Sequence, residues 1–138
     1  MIKTSSKTLI YIHVVFSTKH RSPTIRPEVE GAVYSIIRAQ CIERKISLIA
    51  LGGMPDHVHM LLVLPCHLPL SEVVGRIKGA SSKAVNDAGL VPGGFAWQVG
   101  YGAFSVSEQG VNAVRRYIEN QKEHHSTKGP LSDWELPD

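Results

Sequence analysis

Near the start of the chain two largely apolar sets of residues alternate with period two. Ile10, Ile12, Val14 and Phe16 fall on one side, and Leu9, Tyr11, His13 and Val15 on the other. Successive side chains leave an extended backbone on opposite faces, so Leu9–Ser17 reads as a strand. Both sides are largely apolar, as a central strand requires. Pro27 suits the first turn of a helix, and Val29, Val33, Ile36, Ile37 and Cys41 then recur at helical spacing. Ser47–Leu51 is expected as a second strand, stopped by Gly52, Gly53 and Pro55. In a third strand, His57–Leu64, the residues His57, His59, Leu61 and Val63 share one face and Val58, Met60, Leu62 and Leu64 the other. Ser71 suits the cap of a second helix with Val73, Val74, Ile77, Ala84 and Val85 inward and Lys78 and Lys83 mostly outward. After a loop from Gly89 to Gly94, Phe95–Tyr101 is expected as the fourth strand. Ser105 with Glu108 resembles a capping box opening a third helix with Val111, Val114 and Ile118 on its apolar side. From Ser126 onward periodicity stops and coil is expected, with Trp134 a candidate anchor.

The order strand, helix, strand, strand, helix, strand, helix predicts an α+β fold. Its core would be a ferredoxin-like (RRM-like) antiparallel four-stranded sheet with two helices on one face. The third helix is additional and would cover the open sheet face, of its own subunit or of a partner. The 138 residues contain no repeat, low-complexity tract or domain boundary. They read as one domain over residues 1–138, with a core at about 8–125 and a tail at 126–138.

Composition narrows the class only modestly. No run approaches the roughly 20 apolar residues of a membrane span, and the N-terminus has no signal-peptide pattern. Cys41 and Cys66 lack metal-type spacing and read as buried or reduced thiols of a cytoplasmic protein. A net charge of +3 permits a nucleic-acid partner without requiring one.

Candidate chemistry begins with His57 and His59, two imidazoles on one face of a strand, with Asp56 beside them as an outer contributor. With 7 His in 138 residues, a chance His-x-His arises roughly 0.3 times per chain, so the pair alone decides little. An unpartnered imidazole is nevertheless costly on a face that continues as Leu61 and Val63. Tyr117 and Gln121 stand four apart on the third helix, which puts them on one side of it. Tyrosine can act as a covalent nucleophile and glutamine offers a neutral carbonyl oxygen to a hard metal; a tyrosine at the edge of the core is the plainer alternative. Lys19, His20 and Arg21, then Lys78, Ser81, Ser82 and Lys83, and finally Arg115 and Arg116 form basic stretches. They suit either phosphate contact or simple solvent exposure. His124 and His125 are read as favouring the negative pole of the third helix, with His124 open to a role as a further metal contact.

Three runs taken together carry a resemblance: Tyr11 to Arg21 (YIHVVFSTKHR), Met54 to Leu62 (MPDHVHMLL) and Arg116 to Gln121 (RYIENQ). With Ile77 to Ser82 (IKGASS) between them, the chain from Leu9 to His125 is similar to the HUH single-strand DNA tyrosine transposases of small prokaryotic insertion sequences. That resemblance implies a transposase in which His57, His59 and Gln121 bind Mg2+ or Mn2+ and Tyr117 is the nucleophile. It further implies cleavage and rejoining of single-stranded DNA with hairpin ends through a 5′-phosphotyrosine intermediate, and a homodimer. Lys19 and Arg21 match a basic stretch of the family pattern, whereas Ser17-Thr18 departs from it. The alternative is a non-catalytic or domesticated nucleic-acid-binding protein of the same fold, and a hydrolase using a bound water is a further one. Stacking aromatics would mark an RNA-recognition sheet, and histidines stand on this sheet face instead.

Overall fold

The computed structural model describes residues 6–123. The coil expected from Ser126, and with it Trp134, His124 and His125, lies outside the described residues. Strands β1 (Tyr11–Ser17), β2 (Ser47–Met54), β3 (His57–Val63) and β4 (Gly102–Val106) form one antiparallel sheet in the order β2-β3-β1-β4. Helices α1 (Pro27–Glu43) and α2 (Leu70–Asp87) are the crossovers, and α3 (Val111–Glu119) follows β4. This is the expected ferredoxin-like arrangement.

The period-two pattern divides the core into two layers. Ile12, Val14, Phe16, Val58, Met60 and Leu62 point to one side and pack with Val33, Ile37, Val73, Val74 and Ile77 of α1 and α2. On the other side Leu61 and Ala50 pack with Val114, Tyr117 and Ile118 of α3. The third helix therefore covers the open face of its own sheet. Among the described residues no helix is long and apolar enough to cross a membrane.

Four local expectations are corrected. First, β2 does not stop at Gly52; it runs through both glycines to Met54, because Pro55-Asp56 make a two-residue turn straight into β3. Gly52 is required there for another reason: a Cβ at this position would stand 2.1 Å from the backbone oxygen of Ile118. Second, β4 lies at 102–106 instead of 95–101. The earlier segment does run beside β1, with a single bridge between Thr18 and Trp97 and a hydrogen bond from the Gln98 amide to the Ser17 carbonyl (2.8 Å). Gly100, at φ 93°, interrupts it, and the register slips by two residues between the Val15–Gly102 and Thr18–Trp97 pairs. Phe95 and Trp97 nonetheless serve the core, each ring edge-on to its neighbour in the series Phe16, Trp97, Phe95. Third, Ser105 belongs to β4, and Ser107 is the residue that caps, its Oγ accepting from the Gly110 amide at 3.1 Å. Fourth, Ser71 lies inside α2, whose N-cap is Pro69 without a side-chain cap.

Two checks follow from this packing. G52A forces α3 away from β2 and should destabilise the protein by about 1–3 kcal/mol, as overpacking does, whereas G75A on the open face of α2 should stabilise it by about 0.5–1 kcal/mol. Denaturant titration of both variants measures the contrast. Burial pushes the Cys41 thiol up to about 11, against the opposing charge of Arg44, while Cys66 is exposed. A raised thiol pKa leaves little thiolate below it, so at about pH 8 a thiol reagent should modify Cys66 quickly and Cys41 only on unfolding.

Candidate active site

The face of β3 that turns toward α3 begins with His57 and His59. Antiparallel pairing sets Ser17 and Val15 of β1 opposite them on one side, and Met54 and Gly52 of β2 on the other. His13 lies two residues further along β1 on the same face, diagonally across from His59. All three histidines are buried, at 0 % exposure for His13 and His59 and 2 % for His57. Imidazoles taken from water at such positions require hydrogen-bond partners.

Those partners engage the same atom of each candidate ligand. His57 Nδ1 lies 2.7 Å from Asp56 Oδ1. Arg21 also approaches this nitrogen, with Nη2 at 3.4 Å, but its Nε holds Asp56 Oδ2 at 3.2 Å. One nitrogen cannot donate to the carboxylate and accept from the guanidinium together, and the shorter, charge-assisted contact decides: His57 Nδ1–H donates to Asp56. Burial alone would raise the Asp56 carboxyl, yet the hydrogen bond and charge of His57 and the Arg21 guanidinium outweigh it and hold the group below its ordinary value. His59 Nδ1 lies 2.8 Å from His13 Nε2. Both candidate ligands thus have Nδ1 occupied.

Tyr117 packs against this cluster, 4 % exposed. Its ring is perpendicular to His59 (88°) with centroids 5.4 Å apart, and edge-on to His13 at 6.0 Å. Helix α3 ends at Glu119, and Asn120 leaves helical geometry at φ −109° and ψ 29°. Gln121 therefore begins a new turn instead of continuing the helix face that carries Tyr117, as the spacing had suggested. It is buried all the same, and its Nε2 donates to the Tyr117 carbonyl at 3.1 Å. Lys122 Nζ donates to the Gly53 carbonyl and pairs with Glu30, both at 2.7 Å. With Ile118 over Gly52, these contacts lay the end of α3 along the part of β2 that pairs with Val58 and His59. Among the described residues no group of three or more His, Cys, Asp or Glu side chains is arranged to hold a metal ion by itself.

The family model for IS200-like transposases matches residues 6–121. The chain belongs to the IS200-like transposase family. The ISDra2 transposase TnpA of Deinococcus radiodurans is 29% identical over 114 residues, covering 79% of this chain and 81% of that protein. The transposase for insertion sequence element IS200 of Salmonella typhimurium is 36% identical over 70 residues, 51% of this chain and 46% of its own length. Among solved structures, a Deinococcus radiodurans transposase superposes with a TM-score of 0.70 at 29% identity, covering 88% of this chain and 97% of the other. A REP-associated tyrosine transposase bound to a REP hairpin superposes at 0.64 and 14% identity over 90% and 74% of the two chains, a likeness of fold.

In this transposase the basic residues divide. Lys19 and Arg116 are exposed, Lys83 pairs with Asp87, and Arg115 with Glu119. Arg21 is turned to Asp56 by a loop in which His20 (φ 58°) and Arg21 (φ 52°) both adopt the left-handed region that non-glycine residues rarely occupy. Thr18 secures that loop, its Oγ1 donating to the Ser22 carbonyl (2.7 Å) and the Asp56 carbonyl (3.2 Å). The Thr18 hydroxyl thus has a structural use. Lys78 is half-buried rather than outward, and its ammonium donates to the carbonyls of Gln98 (2.6 Å) and Gly100 (2.8 Å). His13 was absent from the candidates read from sequence. The available signal was its parity, since once β1 pairs with β3 the histidine shares the His57/His59 face. K78M should release the 95–101 strap and lower stability by about 1–2 kcal/mol, seen as a fall in Tm with α1 and α2 retained by circular dichroism.

Proposed function

We propose that this transposase cleaves and rejoins single-stranded DNA through a 5′-phosphotyrosine on Tyr117, at a divalent-metal site of His57, His59 and Gln121. The observation that carries the reading is the buried contact of the Tyr117 ring with His59, 5.4 Å between centroids. The donor set suits Mg2+ or Mn2+. The hydrogen bonds at both Nδ1 atoms suit imidazoles that would hold a metal through Nε2, and the Gln121 amide, its nitrogen on the Tyr117 carbonyl, would hold it through its oxygen. When bound, the ion supplies an undiminished positive charge that polarises a non-bridging phosphate oxygen.

The chain's own residues do the rest. Tyr117 Oη attacks phosphorus, forming the O–P bond as the bond to the 3′ oxygen breaks. The phenol proton is lost and the leaving 3′ oxygen gains one. The phosphotyrosine conserves the phosphodiester energy, so a 3′ hydroxyl later rejoins the strand by attacking the same phosphorus and releasing the tyrosine, with no nucleotide cofactor. The edge-on histidines and Val114 and Ile118 hold the tyrosine ring and keep water from its surroundings. The REP hairpin on the REP-associated transposase supports a hairpin-bearing strand as substrate. Lys19, Arg21, Lys78, Lys83, Arg115 and Arg116 are the proposed phosphate contacts, and the exposure of Lys19 and Arg116 supports those two most. A homodimer working in the cytoplasm completes the proposal, on the family resemblance.

Incubation with hairpin-bearing single strands and Mn2+ should give an SDS-stable protein–DNA adduct that maps to Tyr117 and disappears with EDTA. Y117F should bind the same DNA with nearly unchanged affinity and form no adduct. Free ends without adduct would instead identify a hydrolase, and binding without cleavage a non-catalytic DNA-binding protein.

A further inference from the structure

His13 is wholly buried, carries two ring nitrogens into the interior, and sits on a strand outside all of the ligand runs. A leucine or phenylalanine would fill that space without the cost of desolvating an imidazole. The ring is instead fixed between Phe104, at 5.8 Å and 49°, and Tyr117, at 6.0 Å and 71°, with Nε2 directed at His59 Nδ1. The pairing parallels that of Asp56 with His57, where a neighbouring group takes the Nδ1 proton. In a neutral imidazole, the hydrogen bond made by one nitrogen decides which tautomer is present and therefore which nitrogen keeps its lone pair.

We propose that His13 is a positioning residue for the transposition site. Its Nε2 accepts from His59 Nδ1–H and so fixes His59 in the tautomer that presents a bare Nε2 to the divalent ion. The inference rests on the reading of His57 and His59 as metal ligands. On that reading the two ligands are oriented by different means, one by a carboxylate on the hairpin turn and one by a second histidine on the neighbouring strand. Because the same ring lies edge-on to Tyr117, His13 also sets the spacing between the nucleophile and the ligand it packs on.

The tautomer is visible without metal or activity. In the metal-free full chain labelled with 15N-histidine, at about pH 8 where imidazoles are neutral, long-range proton–nitrogen spectra should show His59 protonated at Nδ1 and bare at Nε2. H13F removes the acceptor while filling the space. It should lose that pattern and bind Mn2+ on the order of 10- to 100-fold more weakly, with adduct formation recovering at saturating Mn2+. H13Q, whose amide oxygen can accept, should restore the tautomer and most of the affinity. A wild-type His59 protonated at Nε2 would overturn the proposal even if H13F did not fold. So would an H13F variant with wild-type tautomer and Mn2+ affinity. If Mn2+ bound the wild type and a His57/His59 double alanine variant equally, the metal reading itself would fail, and this inference with it.

Discussion

The end of α3 lies so close to β2 that Gly52 has no room for a side chain, with the Ile118 carbonyl where a Cβ would stand. That approach is what brings Tyr117 beside the buried histidines. A glycine in a strand weakens it, and here the weakness permits a helix end to settle directly on the sheet beside His59. Lys122 reinforces the contact through the Gly53 carbonyl and Glu30, so two separate elements, β2 and α1, hold the segment that follows Tyr117. Without it, tyrosine and histidines would belong to separate parts of the surface.

Burial then governs the polar groups gathered there. The sheet face that meets α3 is half apolar, with Leu61 and Ala50, and half imidazole. An apolar core would tolerate such histidines only if each were partnered, and the partners come from three directions: Asp56 on the turn, Arg21 on a strained loop behind it, and His13 on β1. The left-handed backbone at His20 and Arg21 sets the guanidinium against Asp56. On the proposed reading, the contacts that satisfy these buried histidines are also the ones that would orient them toward a metal.

Much of this was readable from the chain, for identifiable reasons. Near-continuous apolar runs mark β1 and β3 as central strands, and the period two of an extended backbone then puts His57 and His59 on one shared side. The helices followed from their apolar spacing. The fourth strand was misplaced because Phe95 and Trp97 have strand-like alternation while serving the core from a strap, and only long-range pairing with β1 distinguishes the two. The break at Asn120 was invisible to a four-residue spacing rule. His13 was passed over since a single histidine in an apolar strand carries no local signal; its meaning appears only across the ladder. Lys78 looked like a surface cation because the carbonyls it holds are twenty residues away in sequence.

Orientation of two imidazoles toward one ion is the claim on which nucleophile, ligand and positioning residue all depend. Pulsed electron paramagnetic resonance of the Mn2+-loaded chain reads it directly, because each coordinated imidazole nitrogen imposes its own modulation on the manganese signal. Two imidazole couplings are expected in the wild type, one in H57A and one in H59A. Manganese that shows no nitrogen coupling, or the same coupling in all three proteins, would contradict the site described for this transposase.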